Sequence, residues 1–294
     1  MKKIIVLFAA LLLCSVATAG TTKKNETITD QGLTRTYHLY IPDNLPSGAP
    51  LVFILHGYGG SAESYLNNTS LTFKKLADEE KVMLCYPQAT KDPKPNTGWN
   101  VYYPWQIDRM QVDDCEFICN LAKHLQTTYN LSAKNTFLTG MSNGGEMCYQ
   151  MAAQRPDAFA AYAPIAGLTM EWSYKKNPHK KAVPLMEVHG TMDKTSNWHG
   201  DLKNEGGWGE YISVPMAVGV WAAKARCTHT EKTELPKKRN QVILHRHMGG
   251  APAWKGGPEV EVRLYEIVEG KHKWGLEDMD TCEEIWKFFS KYLK

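Results

Sequence analysis

The sequence has little surplus of charge of either sign. Its 294 residues carry 34 Lys and Arg against 31 Asp and Glu, a formal net charge of +3. Lys2 and Lys3 supply two of those positives, so the chain beyond its first segment is near neutral. Such a chain carries no electrostatic footprint for a polyanion, and nucleic acid is not an expected partner. Lys237-Lys238-Arg239 reads as a solvated face. Past the N-terminus there is no apolar run of spanning length, so no membrane span is expected. Neither C-x-x-C nor H-E-x-x-H occurs, which argues against a structural or peptidase-type zinc site, and no metal or cofactor is expected. Internal repeats, low-complexity tracts and obvious linkers are absent as well. A composition of 43% hydrophobic and 22% charged residues excludes a disordered tail. One domain over residues 20–294 is the economical reading.

The first nineteen residues read as an export address. Met1-Lys2-Lys3 is a basic n-region, Ile4 to Cys14 is apolar but short, and Ala17-Thr18-Ala19 offers a small-x-small cleavage pattern. The expectation is a signal peptide over 1–19 and a secreted or periplasmic chain. Lipid attachment at Cys14 is disfavoured, because leucines rather than a small residue precede it. Export makes disulfides possible. Cys85, Cys115, Cys119, Cys148, Cys227 and Cys282 are even in number, and spacing does not choose among their pairings. The alternative for Cys85, inside Val82-Met83-Leu84-Cys85-Tyr86, is a buried core thiol.

Strands and helices alternate along the chain. Tyr37, Leu39 and Ile41 alternate with polar neighbours, as in a half-buried strand. Leu51 to Leu55 and Val82 to Tyr86 are short continuous apolar runs, the pattern of strands covered on both faces. Ile118, Leu121, Leu125 and Tyr129 fall on one helical face within Val112 to Tyr129. Thr136-Phe137-Leu138 reads as a strand, Glu146 to Gln154 as a helix, and Tyr162 to Ala166 and Leu185 to His189 as strands. Val242 to His247 and Val260 to Val268 read as a strand pair. Thr281-x-x-Glu284 predicts a capping box opening a last helix. This order predicts an α/β fold with a mostly parallel central sheet and helices on both faces.

Four segments carry chemistry. Gly140-Met141-Ser142-Asn143-Gly144-Gly145 follows a strand and precedes a helix, so Gly-x-Ser-x-Gly would lift Ser142 as a nucleophile on a turn only glycine permits. Without chemistry it would be a glycine-rich turn. Leu55-His56-Gly57-Tyr58-Gly59-Gly60 ends an early strand, where a backbone N–H of Tyr58 or its neighbour would join that of Asn143 in holding an oxyanion. The Gly-Lys-Ser/Thr ending of a phosphate loop is missing. Leu185 to Asp193 is a strand, a turn and an acid, with Asp193 placed to orient a base. His272, in Glu269-Gly270-Lys271-His272-Lys273-Trp274-Gly275, follows the last strand. His199, His229, His245 and His247 are weaker candidates, since two lie in a predicted strand and two follow none. The order Ser142, Asp193, His272 is the order expected of an α/β-hydrolase.

These blocks, His-Gly-Tyr-Gly-Gly, Gly-Met-Ser-Asn-Gly-Gly, His-Gly-Thr-Met-Asp and Gly-Lys-His-Lys-Trp-Gly, resemble those of secreted family 1 carbohydrate esterases. That family comprises feruloyl and acetylxylan esterases, related to polyhydroxybutyrate depolymerase-like esterases. Asp113-Asp114 and Trp221-Ala222-Ala223 before Cys227 fit the same pattern, and the resemblance runs from about Thr36 to the C-terminus. It implies an α/β-hydrolase fold and a serine carboxylic-ester hydrolase, with Ser142 as nucleophile, His272 as base and Asp193 as its orienter. The implied substrate is an esterified polysaccharide, with feruloyl or acetyl groups on xylan. The alternatives are a depolymerase-like or general short-acyl esterase, and a non-catalytic carbohydrate-binding protein on a hydrolase scaffold. Lys194 to Pro215, rich in glycine, departs from the pattern and is expected to form a loop at one wall of the pocket. Trp198 and Trp208, with Trp274 beside His272, are the expected substrate-binding rings.

Overall fold

The computed structural model describes residues 20–176 and 181–294. The expected signal peptide, 1–19, lies outside the described residues. The elements are β1 (Thr21–Asp30), β2 (Leu33–Ile41), β3 (Leu51–Leu55), α1 (Ala62–Leu66), α2 (Phe73–Glu80), β4 (Met83–Pro87), α3 (Asp114–Thr128), β5 (Thr136–Met141), α4 (Asn143–Gln154), β6 (Ala161–Ile165), β7 (Thr169–Met170), α5 (Glu171–Lys176), β8 (Leu185–Gly190), β9 (Tyr211–Ile212), α6 (Val214–Ala225), β10 (His229–Glu234), β11 (Val242–Met248), β12 (Val262–Ile267) and α7 (Thr281–Ser290).

Ten strands form one sheet in the order β1-β2-β4-β3-β5-β6-β8-β12-β11-β10. The six from β4 to β12 run parallel, and antiparallel pairs extend the sheet at each end. The mostly parallel central sheet expected from the strand and helix order is therefore present. The uninterrupted apolar run of β3 has a direct cause. Leu51, Phe53 and Leu55 point into one core with residues of α3, α4 and α6, while Val52 and Ile54 point into the other with α1, α2 and α7. β2 shows the same effect. Tyr37 to Tyr40 are all buried, so the expected alternation between a wet and a dry face gives way to coverage on both sides.

Two strands carry no apolar signal. β10, His-Thr-Glu-Lys-Thr-Glu, is exposed along its length, and β1 is exposed at most positions. Both are edge strands, held by the backbone of a neighbour rather than by burial. The last helix opens one residue earlier than its predicted box. Asp280 is the N-cap and accepts from the Glu283 N–H at 3.1 Å, while Thr281 Oγ1 donates to the Trp274 carbonyl at 2.7 Å. All six described cysteines are free thiols, four of them buried, so the structure contains no disulfide among the described residues. Cys85 is the core thiol of the alternative reading, fully buried in β4. No helix of the described residues is long and apolar enough to cross a membrane.

Asp113 and Asp114 are neighbours with different roles. Asp113 caps α3, accepting from the Glu116 N–H at 3.0 Å on the surface. Asp114 is buried and takes Arg35 Nη2 at 2.7 Å and the Asn100 N–H at 2.8 Å. Arg35 also lies over the Phe117 ring at 3.6 Å. One carboxylate thus ties β2, α3 and the loop after Gly98 together. Truncating it leaves a buried guanidinium unpaired, so Asp114→Ala should cost about 3–5 kcal/mol. Asp113→Ala, losing one cap, should cost about 1 kcal/mol. Urea unfolding at neutral pH separates the two, and equal losses would contradict the pairing.

Candidate active site

Ser142 sits between β5 and α4 with φ 58° and ψ −125°, a backbone conformation that a side chain rarely adopts. Its N–H donates to the Ile165 carbonyl at 2.8 Å, and its carbonyl accepts the Glu146 N–H at 2.8 Å, so β6 and α4 hold the strained turn. The glycines explain themselves by distance. A Cβ on Gly140 would lie 2.7 Å from the Gly144 carbonyl oxygen and from Leu55 Cβ, and one on Gly144 would lie 2.5 Å from the Leu55 carbonyl oxygen. The start of α4 therefore lies directly against the end of β3. Gly57, at that end, would place a Cβ 3.3 Å from Ser142 Cβ.

Among the described residues, three of the four N–H groups from Gly57 to Gly60 in the turn after β3 are bonded. The N–H groups of Gly57, Gly59 and Gly60 go to Tyr65 Oη, the Thr97 carbonyl and the Gly57 carbonyl. That leaves the Tyr58 N–H as this turn's candidate oxyanion donor. The Asn143 N–H, at the first position of α4, has no acceptor within its own helix. The Asn143 side chain is fully buried, with Oδ1 accepting from the Trp99 N–H at 2.7 Å and Nδ2 donating to the Trp99 carbonyl at 3.2 Å. His56 is structural. The Ala89 N–H occupies Nε2 at 3.1 Å, so Nδ1 carries the proton and donates to the Gly57 carbonyl at 2.8 Å. Burial takes this imidazole down to about 4, which keeps it neutral.

Asp193 and His272 meet as expected. His272 Nδ1 lies 2.7 Å from Asp193 Oδ2, and Asp193 Oδ1 accepts from the Thr195 and Ser196 N–H groups at 2.8 Å each. Asp193 is buried and His272 half-buried. Three of the four competing histidines lie elsewhere: His229, His245 and His247 are on β10 and β11, with His245 paired to Glu266 at 2.7 Å and His247 to Thr230 at 2.8 Å. His199 is exposed on the loop after Asp193, its backbone N–H donating to Asn197 Oδ1 at 3.0 Å. Because β5 and β8 run parallel, Ser142 and Asp193 emerge at the same C-terminal edge of the sheet.

The aromatic wall departs from expectation. Trp198 is only 9% exposed and packs on His189 with ring centroids 6.1 Å apart. Trp274 is 7% exposed and lies edge-on to Tyr65 and Phe73. Both rings are core packing, because the chain folds back at each point: the Val214 N–H binds the Trp198 carbonyl, and Thr281 binds that of Trp274. Trp208 is half-buried in a cluster with Tyr58, Tyr103 and Trp105, at centroid distances of 5.6, 5.3 and 5.6 Å. Tyr58 Oη and Trp105 Nε1 both donate to Asp92 Oδ2, at 2.8 and 2.5 Å, anchoring the cluster beside the candidate oxyanion turn. The segment after Asp193 is the expected loop, with Gly200, Gly207 and Gly209 at positive φ. It then closes as β9 against β7. Tyr103 and Trp105 went unnoticed in the sequence, although Trp99-Asn100-Val101-Tyr102-Tyr103-Pro104-Trp105 is a dense aromatic run. Among the described residues no three His, Cys, Asp or Glu side chains gather as metal ligands.

The family described as esterase PHB depolymerase matches residues 35–192, more than half of the chain. The chain belongs to this family. The match includes Ser142 and ends one residue before Asp193. Among curated relatives, a bifunctional acetylxylan esterase/xylanase of Neocallimastix patriciarum is 30% identical over 178 residues, 60% of this chain and 24% of that protein. Poly(3-hydroxyalkanoate) depolymerase C of Paucimonas lemoignei is 27% identical over 208 residues, 69% of this chain and 46% of that protein. Feruloyl esterase B of Thermothelomyces thermophilus is 26% identical over 165 residues, 56% of this chain and 55% of that protein. The chain thus spans between about a quarter and about half of these relatives. Among solved structures, an acetyl xylan esterase from Aspergillus awamori superposes with a TM-score of 0.63 at 16% identity, over 92% of this chain and all of that one, a likeness of fold.

Glu146 lies in the first turn of α4, just after Ser142. It is buried, accepts the Tyr103 hydroxyl, and is pushed by burial up to about 8, against hydrogen bonds from Tyr103 and Asn143 that pull it down. The folded chain therefore holds this proton more tightly than the unfolded one does. The stability from it is complete below the ordinary carboxyl value near 4.5 and is lost as pH rises towards about 8. Glu146→Gln is neutral throughout. Relative to wild type it should be close in stability at pH 5 and more stable at pH 9, measured by thermal unfolding. Parallel curves across that range would mean that the carboxyl ionises as it does in water.

Proposed function

We propose that the protein is an exported serine esterase, with Ser142 as nucleophile, His272 as general base and Asp193 as its orienter. The observation that carries this is the 2.7 Å His272–Asp193 pair, at the same sheet edge as a serine held at φ 58°. With Nδ1 bonded to Asp193, the Nε2 of His272 is the nitrogen left to take the Ser142 proton. Ser142 Oγ attacks the ester carbonyl, and the oxyanion is received by the N–H groups of Tyr58 and Asn143. Each such donor contributes roughly 3–4 kcal/mol to the transition state. Collapse expels the alcohol, which takes the proton from His272. Water then attacks the acyl-enzyme, giving its proton to His272, and the acid leaves with Ser142 restored.

The proposed substrates are feruloyl or acetyl esters of xylan. The relatives named acetylxylan and feruloyl esterases support this class, as does the aromatic cluster of Tyr58, Trp105 and Trp208 beside the proposed oxyanion donor. A depolymerase acting on hydroxyalkanoate esters is the second reading, favoured by the family description and by the Paucimonas relative.

Ser142→Ala should abolish hydrolysis of methyl ferulate and of nitrophenyl acetate while unfolding stays near wild type, and a fluorophosphonate probe should label Ser142 alone. Labelling that survives the change would refute the assignment. The aromatic wall is tested separately. Trp208→Ala should raise KM for methyl ferulate about tenfold, from losing about 1–1.5 kcal/mol of ring contact, and change nitrophenyl acetate much less. Equal losses on both would make Trp208 a packing residue.

A further inference from the structure

A second histidine lies directly beneath the Asp193–His272 pair. His189, on β8, has no solvent exposure. Its Nε2 lies 2.7 Å from the Ser196 carbonyl oxygen and 3.5 Å from Asp193 Oδ2, and its Nδ1 lies 2.7 Å from Glu187 Oε1. A backbone carbonyl only accepts, so Nε2 carries a proton. Two carboxylates and a carbonyl then surround the ring, and every polar neighbour in reach favours a donor on both nitrogens. We propose that His189 is held as a buried imidazolium and is a positioning residue for Asp193. Its Nε2–H clamps the turn whose Thr195 and Ser196 N–H groups grip Asp193, and its charge shares the Asp193 carboxylate with His272. This rests on the esterase reading for its catalytic consequence, though not for the protonation state.

The surroundings are consistent. Burial works against the cation, but the bond and charge of Glu187, the Ser196 carbonyl and the Asp193 charge outweigh it and raise the His189 imidazole above its ordinary value. Burial pushes the Glu187 carboxyl up while the hydrogen bond and charge of His189 pull it down, and its Oε2 is buried with no hydrogen-bond partner among the described residues, so the ring is this carboxylate's principal counter-charge. Burial keeps Tyr149 of α4 a phenol and Cys148 of the same helix a thiol. The Gly167 N–H donates to Glu187 Oε1 at 3.4 Å, and the Trp198 ring closes the remaining side of His189. That gives Trp198 its place: it seals the imidazolium from solvent instead of meeting a substrate.

The consequence for the reaction has a definite sign. With a cation on its far side, the Asp193 carboxylate is shared between two imidazoles. In Glu187→Gln the side-chain amide can turn its NH2 towards Nδ1, so the ring can become neutral. Asp193 then acts on His272 alone, and the acid limb of kcat/KM should move to higher pH by about one unit. On the folded protein, kcat should fall about tenfold with KM within about twofold.

The protonation state is read directly from the full mature chain labelled with 15N-histidine. Long-range 1H–15N spectra should show one ring with both nitrogens protonated from pH 6 to pH 9, while solvent-facing rings become neutral. That signal is assigned by its absence in His189→Gln, or by its contact with the Trp198 indole should that variant fail to fold. A His189 ring with one unprotonated nitrogen at pH 8 would overturn the proposal. So would a Glu187→Gln protein that melts earlier but keeps wild-type kcat and acid limb, since a purely structural pair behaves that way. The spectrum needs no substrate, so it decides His189 even if the Ser142 test defeats the esterase reading.

Discussion

Everything at the candidate site depends on how closely two backbones approach. The end of β3 and the first turn of α4 meet where Gly140 and Gly144 leave no room for a side chain. Any Cβ there would drive α4 away from Leu55. Ser142 would then lose the two backbone bonds that hold it at positive φ, and the Tyr58 turn would lose its place beside Ser142. The strain stored at one residue is maintained by well-made contacts at its neighbours, which is how such outliers persist. Asn143 extends the constraint. Its side chain grips the Trp99 backbone from both sides and so fixes the loop that carries Tyr103 and Trp105.

Burying carboxyl groups is the second problem, and the chain solves it differently at each position. Asp114 is met by a guanidinium and one backbone N–H, which bind β2, α3 and a loop together. Burial favours the protonated form of Glu146, so that it sits in the first turn of α4 without adding charge there. Asp193 is supported by two backbone N–H groups and by His272. Glu187 is balanced by His189 in the layer below. Burial of an unpaired charge costs far more than any of these arrangements, so each partner is as fixed as the carboxyl it serves.

The aromatic residues show where pattern reading stops. Trp198, Trp208 and Trp274 look alike in sequence, each among glycines or next to a candidate catalytic residue. Their fates diverge because of chain reversal. The backbone at Trp198 and Trp274 is pinned to α6 and α7, which turns the rings inward. Trp208 lies further out on the glycine-rich loop and meets Tyr103 and Trp105, residues about a hundred positions away. Similarly, β1 and β10 were invisible, because edge strands of polar residues are made by a neighbour's backbone and not by their own side chains.

What the amino-acid order determines by itself is local or periodic. Continuous apolar runs mark strands covered twice, the spacing of Ile118, Leu121 and Leu125 marks a buried helical face, and glycines around Ser142 mark a turn no other residue fits. The succession of Ser142, Asp193 and His272 was readable because each follows a strand of a parallel sheet, and parallel strands deliver their ends to one edge. Only the tertiary structure decides which rings face the site, which acid caps and which is buried, and that Glu187 and His189 lie under Asp193. Those outcomes turn on distances between segments far apart in sequence, where a few tenths of an ångström separate a hydrogen bond from a clash, and no local pattern encodes them.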